Sequence, residues 1–126
     1  MIKLKLNRSE MQVLCTCTNP QMLEKKILGH INAGRLIDLE YLFLLVDIGE
    51  QLTKKYFFNL KDKTTISLKW SEASAYLAYM TELEMGNFDA YSINVFRTTK
   101  TNIHKCLTGY KQRIYDHTRA TAGLLQ

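Results

Sequence analysis

The sequence predicts an α+β fold, mostly α, with about five helices arranged around a central apolar helix at about 36–59 and two short strands at about 2–6 and 64–70. Three observations lead there. Apolar residues alternate with polar ones twice, in "IKLKL" and in "TTISLKW"; helix-start signals recur between long periodic stretches; and residues 36–59 are apolar in nearly every direction of a helical wheel. The 126 residues, with 46% apolar and 23% charged side chains and a single proline, suit one globular domain, 1–126, with a core of its own.

Each element has a local cause. In residues 2–6, Ile2, Leu4 and Leu6 share one face and Lys3 and Lys5 the other, the pattern of a half-buried strand. Asn7 or Ser9 then offers a side-chain oxygen to the first free amides of a helix, and Glu10 suits its positive end, so a helix is expected from about Ser9 to Cys17. Asn19 followed by Pro20 restarts the chain as a second helix to about Asn32, because proline at the first helical position forfeits no hydrogen bond. Gly34 supplies the left-handed backbone that ends it. The stretch Leu36 to Asn59 leaves only Glu40, Asp47, Gln51 and Lys54 as a strip for water, which places it at the centre of the domain.

Residues 64–70 carry Ile66, Leu68 and Trp70 on one face of the second strand. Ser71 is expected to cap the helix that places Ala73, Tyr76, Leu77, Met80 and Leu83 at helical spacing, and Gly86 to stop it. Asn87 or Asp89 caps a last helix from about Ala90 to Arg119. An offset of 62 superposes Leu4 on Ile66, Leu6 on Leu68, Ser9 on Ser71 and Glu10 on Glu72, a faint internal echo. Two isolated strands leave open edges, so they are expected to pair with each other or with a second copy of the chain.

Charge is unevenly placed. Residues 1–96 carry eleven Lys or Arg and eleven Asp or Glu, whereas the last thirty residues carry six cations against Asp116 alone, which accounts for the net charge of +5. On a helix, Phe96, Ile103, Leu107, Tyr110 and Ile114 fall within about 60° and form a stripe expected to be buried. Arg97, Lys100, His104, Lys111, Tyr115 and Arg119 fall within about 100° beside it, with Lys105 just beyond, on a rod of about 36 Å. Cations on one flank can neutralise phosphates and a tyrosine can stack, so these seven residues are the candidate anion or nucleic-acid contacts. The plainer reading is a solvated helix face, since Lys and Arg are good helix formers. A break at Gly109 would put the two halves of the flank out of phase.

Elsewhere the residues point away from chemistry. Cys15 and Cys17 are two apart and face opposite sides of a helix, and Cys106 with His30, His104 and His117 lies at no metal-ligand spacing, so no metal and no cofactor is expected. The six glycines form no phosphate-binding loop, and neither a zinc-protease nor a serine-hydrolase motif occurs. Catalysis is not expected. "MIKLKLNRSE" does not read as an export signal, "YLFLLVDI" is too short to span a bilayer, and three cysteines are an odd number. A cytoplasmic protein with free thiols and no membrane contact is therefore the expectation.

Two functions fit this reading. The first is a small non-enzymatic protein-interaction or assembly module, self-associating as a homo-oligomer through strand edges or through aromatic surfaces at Tyr56, Phe57, Trp70, Tyr79 and Tyr91. The alternative is a nucleic-acid-binding protein that uses the basic face of helix 97–119.

Overall fold

A computed structural model of the chain describes residues 1–59 and 61–124, with side chains through Arg119. Among the described residues the order is β1 (Ile2–Asn7), α1 (Arg8–Cys17), α2 (Pro20–Asn32), α3 (Leu39–Phe58), β2 (Lys63–Leu68), α4 (Trp70–Glu84) and α5 (Ala90–Leu124). The fold is α+β and mostly α, as the periodicities indicate.

The strands solve their edge problem first by pairing with each other. β1 and β2 form an antiparallel ribbon in which Leu4 faces Ile66 and Ile2 faces Leu68. Ile2, Leu4, Leu6, Ile66 and Leu68 point into the core, and Lys3 and Lys5 point out. A slip by one residue would reverse both faces, so the alternating pattern sets the register.

Local capping follows the sequence at most ends. The Asn7 side chain accepts from the Glu10 amide at 2.8 Å, and Glu10 returns a carboxylate to the Asn7 amide at 2.9 Å, a reciprocal cap for α1. Asn19 accepts from the Gln21 and Met22 amides ahead of α2, and Gly34 after it has φ +72°. Asp89 opens α5 by accepting from the Ser92 amide at 3.0 Å.

Five boundary or burial expectations need correction. Trp70 is not the end of a strand but the first residue of α4. Ser71 is accordingly inside the helix rather than its cap; the Glu72 carboxylate binds the Lys69 amide at 2.8 Å instead. That contact repeats the Asn7–Glu10 arrangement at an offset of 62, so the echo extends to cap geometry. The central helix begins at Leu39 rather than Leu36, and Leu36 and Ile37 are exposed ahead of it. Nor is it buried all round: Leu42, Leu45, Val46, Ile48 and Leu52 face the core, whereas Phe43, Phe57 and Phe58 face water. Finally, α5 runs on to Leu124, past the expected stop at Arg119.

Buried side chains from all seven elements meet in one cluster, with Leu14, Leu23, Leu45, Ile48, Leu52, Tyr76, Met80 and Phe96 fully enclosed. α3 comes unusually close to the turn between α1 and α2 at Gly49, where a Cβ would stand 2.2 Å from the Thr18 carbonyl oxygen. Polar ties bind the helices together at the same joint. The Thr18 and Tyr76 hydroxyls share a buried hydrogen bond of 2.8 Å, and the Tyr79 hydroxyl donates to the Cys17 carbonyl. Arg8 donates to the Tyr56 and Asn59 carbonyls at the end of α3 and lies over the Tyr56 ring.

Candidate functional site

α5 carries the residues that the charge pattern singles out, and it is unbroken through Gly109. Its 35 residues make a rod of about 52 Å. The two halves differ. Val95, Phe96, Thr99 and Ile103 are buried against the rest of the fold, and Cys106 and Leu107 are half-buried. From Thr108 to Arg119 every residue is exposed. The stripe expected to be buried therefore goes under cover only as far as Leu107: Tyr110 is 39% and Ile114 48% exposed.

The cationic flank divides at the same place. Arg97 Nε lies 2.7 Å from Glu84 Oε1, and Lys100 Nζ contacts the other oxygen of that carboxylate. The two hydrogen bonds hold Glu84 ionised below its usual range. Arg97 and Lys100 are thus partly neutralised by the end of α4. His104 and Lys105 line a shallow cleft with Leu77, Thr81, Lys100 and Thr101. Beyond them, the Lys111 ammonium lies 5.7 Å from the centre of the Tyr115 ring, and Arg119 is exposed. Asp116, the acid within the basic segment, is held by Gln112 Nε2 at 3.1 Å. Among the described residues Lys105, Lys111, Arg113 and Arg119 make no ion pair. The seven candidates therefore share one helix but not one environment.

The aromatic surfaces expected from the sequence also divide. Phe57 is 67% and Tyr91 45% exposed, and Tyr91 shares a 2.6 Å hydrogen bond with Ser9. Tyr79 is not a surface residue but part of the core. Trp70 is half-buried and stacks on Tyr110, with ring centres 4.3 Å apart and planes 24° from parallel. Sequence spacing missed this stack and the Glu84 clamp, since both join residues on different helices. The acids that end α4, Glu82 and Glu84, just before the turn into a basic helix are the signal that could have suggested the clamp.

The titratable groups at the α1–α4 joint are held neutral. Burial pushes the Cys15 thiol up to about 11, with Arg8 pulling weakly the other way. Cys17 is raised by burial and then by the charge of Asp89. Burial likewise raises Tyr76 well beyond the usual phenol range and Tyr79 to about 12. Such thiols act as small hydrophobes rather than nucleophiles. His30 Nδ1 contacts the Lys26 carbonyl oxygen at 2.8 Å, a local helix contact. His117 does not sit at a helix end, because α5 continues past it.

Among the described residues no three His, Cys, Asp or Glu side chains gather as a metal site, and no helix is long and apolar enough to cross a membrane. No protein-family model, curated protein or solved structure matches this chain.

Proposed function

We propose that the chain is a small, non-enzymatic interaction and assembly module of the cytoplasm that docks through the distal half of α5, and that a second copy of the chain takes that position. One observation carries the reading. The apolar line that is buried at Phe96 and Ile103 continues in phase through half-buried Leu107 and through Tyr110, covered on one side by Trp70, to Ile114, which is 48% exposed. Spacings of four, three and four from Ile103 to Ile114 are those of a seam between two helices, and an apolar line that projects into water gains from being covered.

The flanks of this seam are cationic, so two copies repel each other at low ionic strength. Added salt screens that repulsion and strengthens the pairing. Sedimentation or light scattering at low and high salt tests this. The expected result is a concentration-dependent oligomer that grows with salt and is lost in Ile114→Glu. A chain that stays monomeric at high concentration and high salt overturns it.

The second reading, a nucleic-acid surface, is favoured by Lys105, Lys111 and Arg119, which are exposed beyond the reach of Glu84. Its salt dependence has the opposite sign. If these three cations reach phosphates of a duplex, log affinity falls against log salt with a slope of about −2.7. Fluorescence anisotropy of a labelled duplex and a labelled single strand measures it. Binding that survives reversal of Lys111 and Arg119 to Glu removes this reading.

A further inference from the structure

We propose that the free edge of β1 receives an extended segment of a partner protein in which acidic and apolar residues alternate, adding a third strand to the sheet. The argument starts from an asymmetry between the two edges. On β2, Gln51 from α3 donates to the Ser67 carbonyl and accepts from the Ser67 amide, both at 2.9 Å, and Lys55 donates to the Thr65 carbonyl at 2.8 Å. Side chains of α3 thus satisfy that edge as a neighbouring strand would. Because Ser67 turns its backbone outward, its partner Lys3 does the same, and so does Lys5 opposite Thr65. Among the described residues nothing bonds to the amides or carbonyls of Lys3 and Lys5. This edge is an open template.

Charge and shape specify the occupant. The Lys3 and Lys5 side chains stand exposed on the outer face of the sheet, so residues opposite them on an added strand are favoured if acidic. A second copy of β1 would instead set lysines against lysines. Along the same edge, beside Met1, Ile2 and Lys3, a cleft of about 390 Å³ opens between β1 and α5. Trp70, Cys106 and Tyr110 give it apolar walls and Arg113 a positive rim, and a Cβ on Gly109 would meet nothing within 4 Å. The alternate residues of an incoming strand face this cleft and are favoured if apolar.

The test uses the whole chain and two blocked ten-residue peptides, one alternating Glu with Val and one alternating Lys with Val. Amide NMR shifts of Lys3 and Lys5 and the emission of Trp70, the one tryptophan of the chain, report docking. The amide shifts also separate it from pairing along α5, which reaches Trp70 through Tyr110 but leaves the β1 amides unchanged. The Glu–Val peptide is expected to move both signals and the Lys–Val peptide neither. Lys5→Pro removes an outward amide without touching the ladder, which an edge strand tolerates, and should weaken binding at least about tenfold with the fold retained by circular dichroism. Should that variant not fold, the pair Lys3→Glu and Lys5→Glu decides, since it should exchange the preference to the Lys–Val peptide. Equal response to both peptides, or undiminished binding by folded Lys5→Pro, overturns the proposal. So does concentration-dependent exchange protection of the Lys3 and Lys5 amides in the free protein, which would make the occupant a second copy.

Discussion

Single residues show where helix propensity is overruled by packing. Gly49 and Gly109 both lie inside helices, where glycine costs about 1 kcal/mol relative to alanine, and the sequence alone treats them alike. Their surroundings differ: a Cβ at Gly49 would meet the Thr18 carbonyl oxygen at 2.2 Å and the Pro20 ring at 3.3 Å, while one at Gly109 would meet nothing. Gly109→Ala is therefore expected to stabilise the fold by about 1 kcal/mol, and Gly49→Ala to destabilise it by about 2 kcal/mol or more despite the better propensity. Urea midpoints of the two variants measure the difference, and a shift of the same sign in both contradicts it. Thr99 offers a second case. It is 1% exposed and among the described residues its hydroxyl has no partner, although Thr16, Thr81, Thr108 and Thr118 all donate to the carbonyl four residues back. Thr99→Val keeps the shape and removes a buried polar group, so a gain of about 1 kcal/mol is expected in the same urea assay.

At the level of elements, what the sequence revealed was local and what it hid was lateral. Asn19–Pro20, Gly34 and the Asn7–Glu10 cap are contacts within one turn, and the residues that make them can be read side by side. The seal on β2 joins Gln51 to Ser67 and Lys55 to Thr65, and the clamp on α5 joins Glu84 to Arg97 and Lys100. No periodicity within one element contains these pairs, and for that reason the basic flank read from α5 alone looked more uniform than it is. The clamp yields a prediction of its own. Glu84→Gln removes the negative charge and releases two cations at the end of the flank nearest the fold. If that flank tracks phosphates, the slope of log affinity against log salt steepens by up to about 1.8, the value for two further contacts. An unchanged slope in salt-titrated anisotropy would mean that Arg97 and Lys100 stay clear of the phosphates. In wild type the same release occurs as pH falls through the lowered pKa of Glu84.

Over the whole molecule, hydrophobic periodicity gave the correct class because it reports which side of each element is covered, but it gives no account of how far that cover extends. The apolar surround of residues 36–59 and the apolar stripe of α5 both read as interior, yet Phe57 and Phe58 emerge past one end of the core and Tyr110 and Ile114 past another. The interior that does exist makes a pH-dependent prediction. Tyr76 is fully buried and raised far above its ordinary value, Tyr79 is raised to about 12 and Cys15 to about 11, in each case chiefly by burial. The unfolded chain has ordinary values, so on raising the pH it releases protons first from cysteine near pH 8.5 and then from tyrosine near pH 10, while the folded chain still holds them. Stability is therefore full below about pH 8.5 and falls as pH rises, with Tyr76 alone contributing roughly 1.4 kcal/mol per pH unit above pH 10. Tyr76→Phe separates this effect from general alkaline damage. Losing the hydroxyl leaves the buried Thr18 hydroxyl without its partner, so the variant should be less stable at neutral pH by about 1 kcal/mol. It has no phenol to ionise, and its decline above pH 10 should be the shallower, so that the two curves of unfolding free energy converge as pH rises. Urea unfolding at a series of pH values tests this, and curves that stay parallel would place the alkaline sensitivity elsewhere than in the Tyr76 phenol.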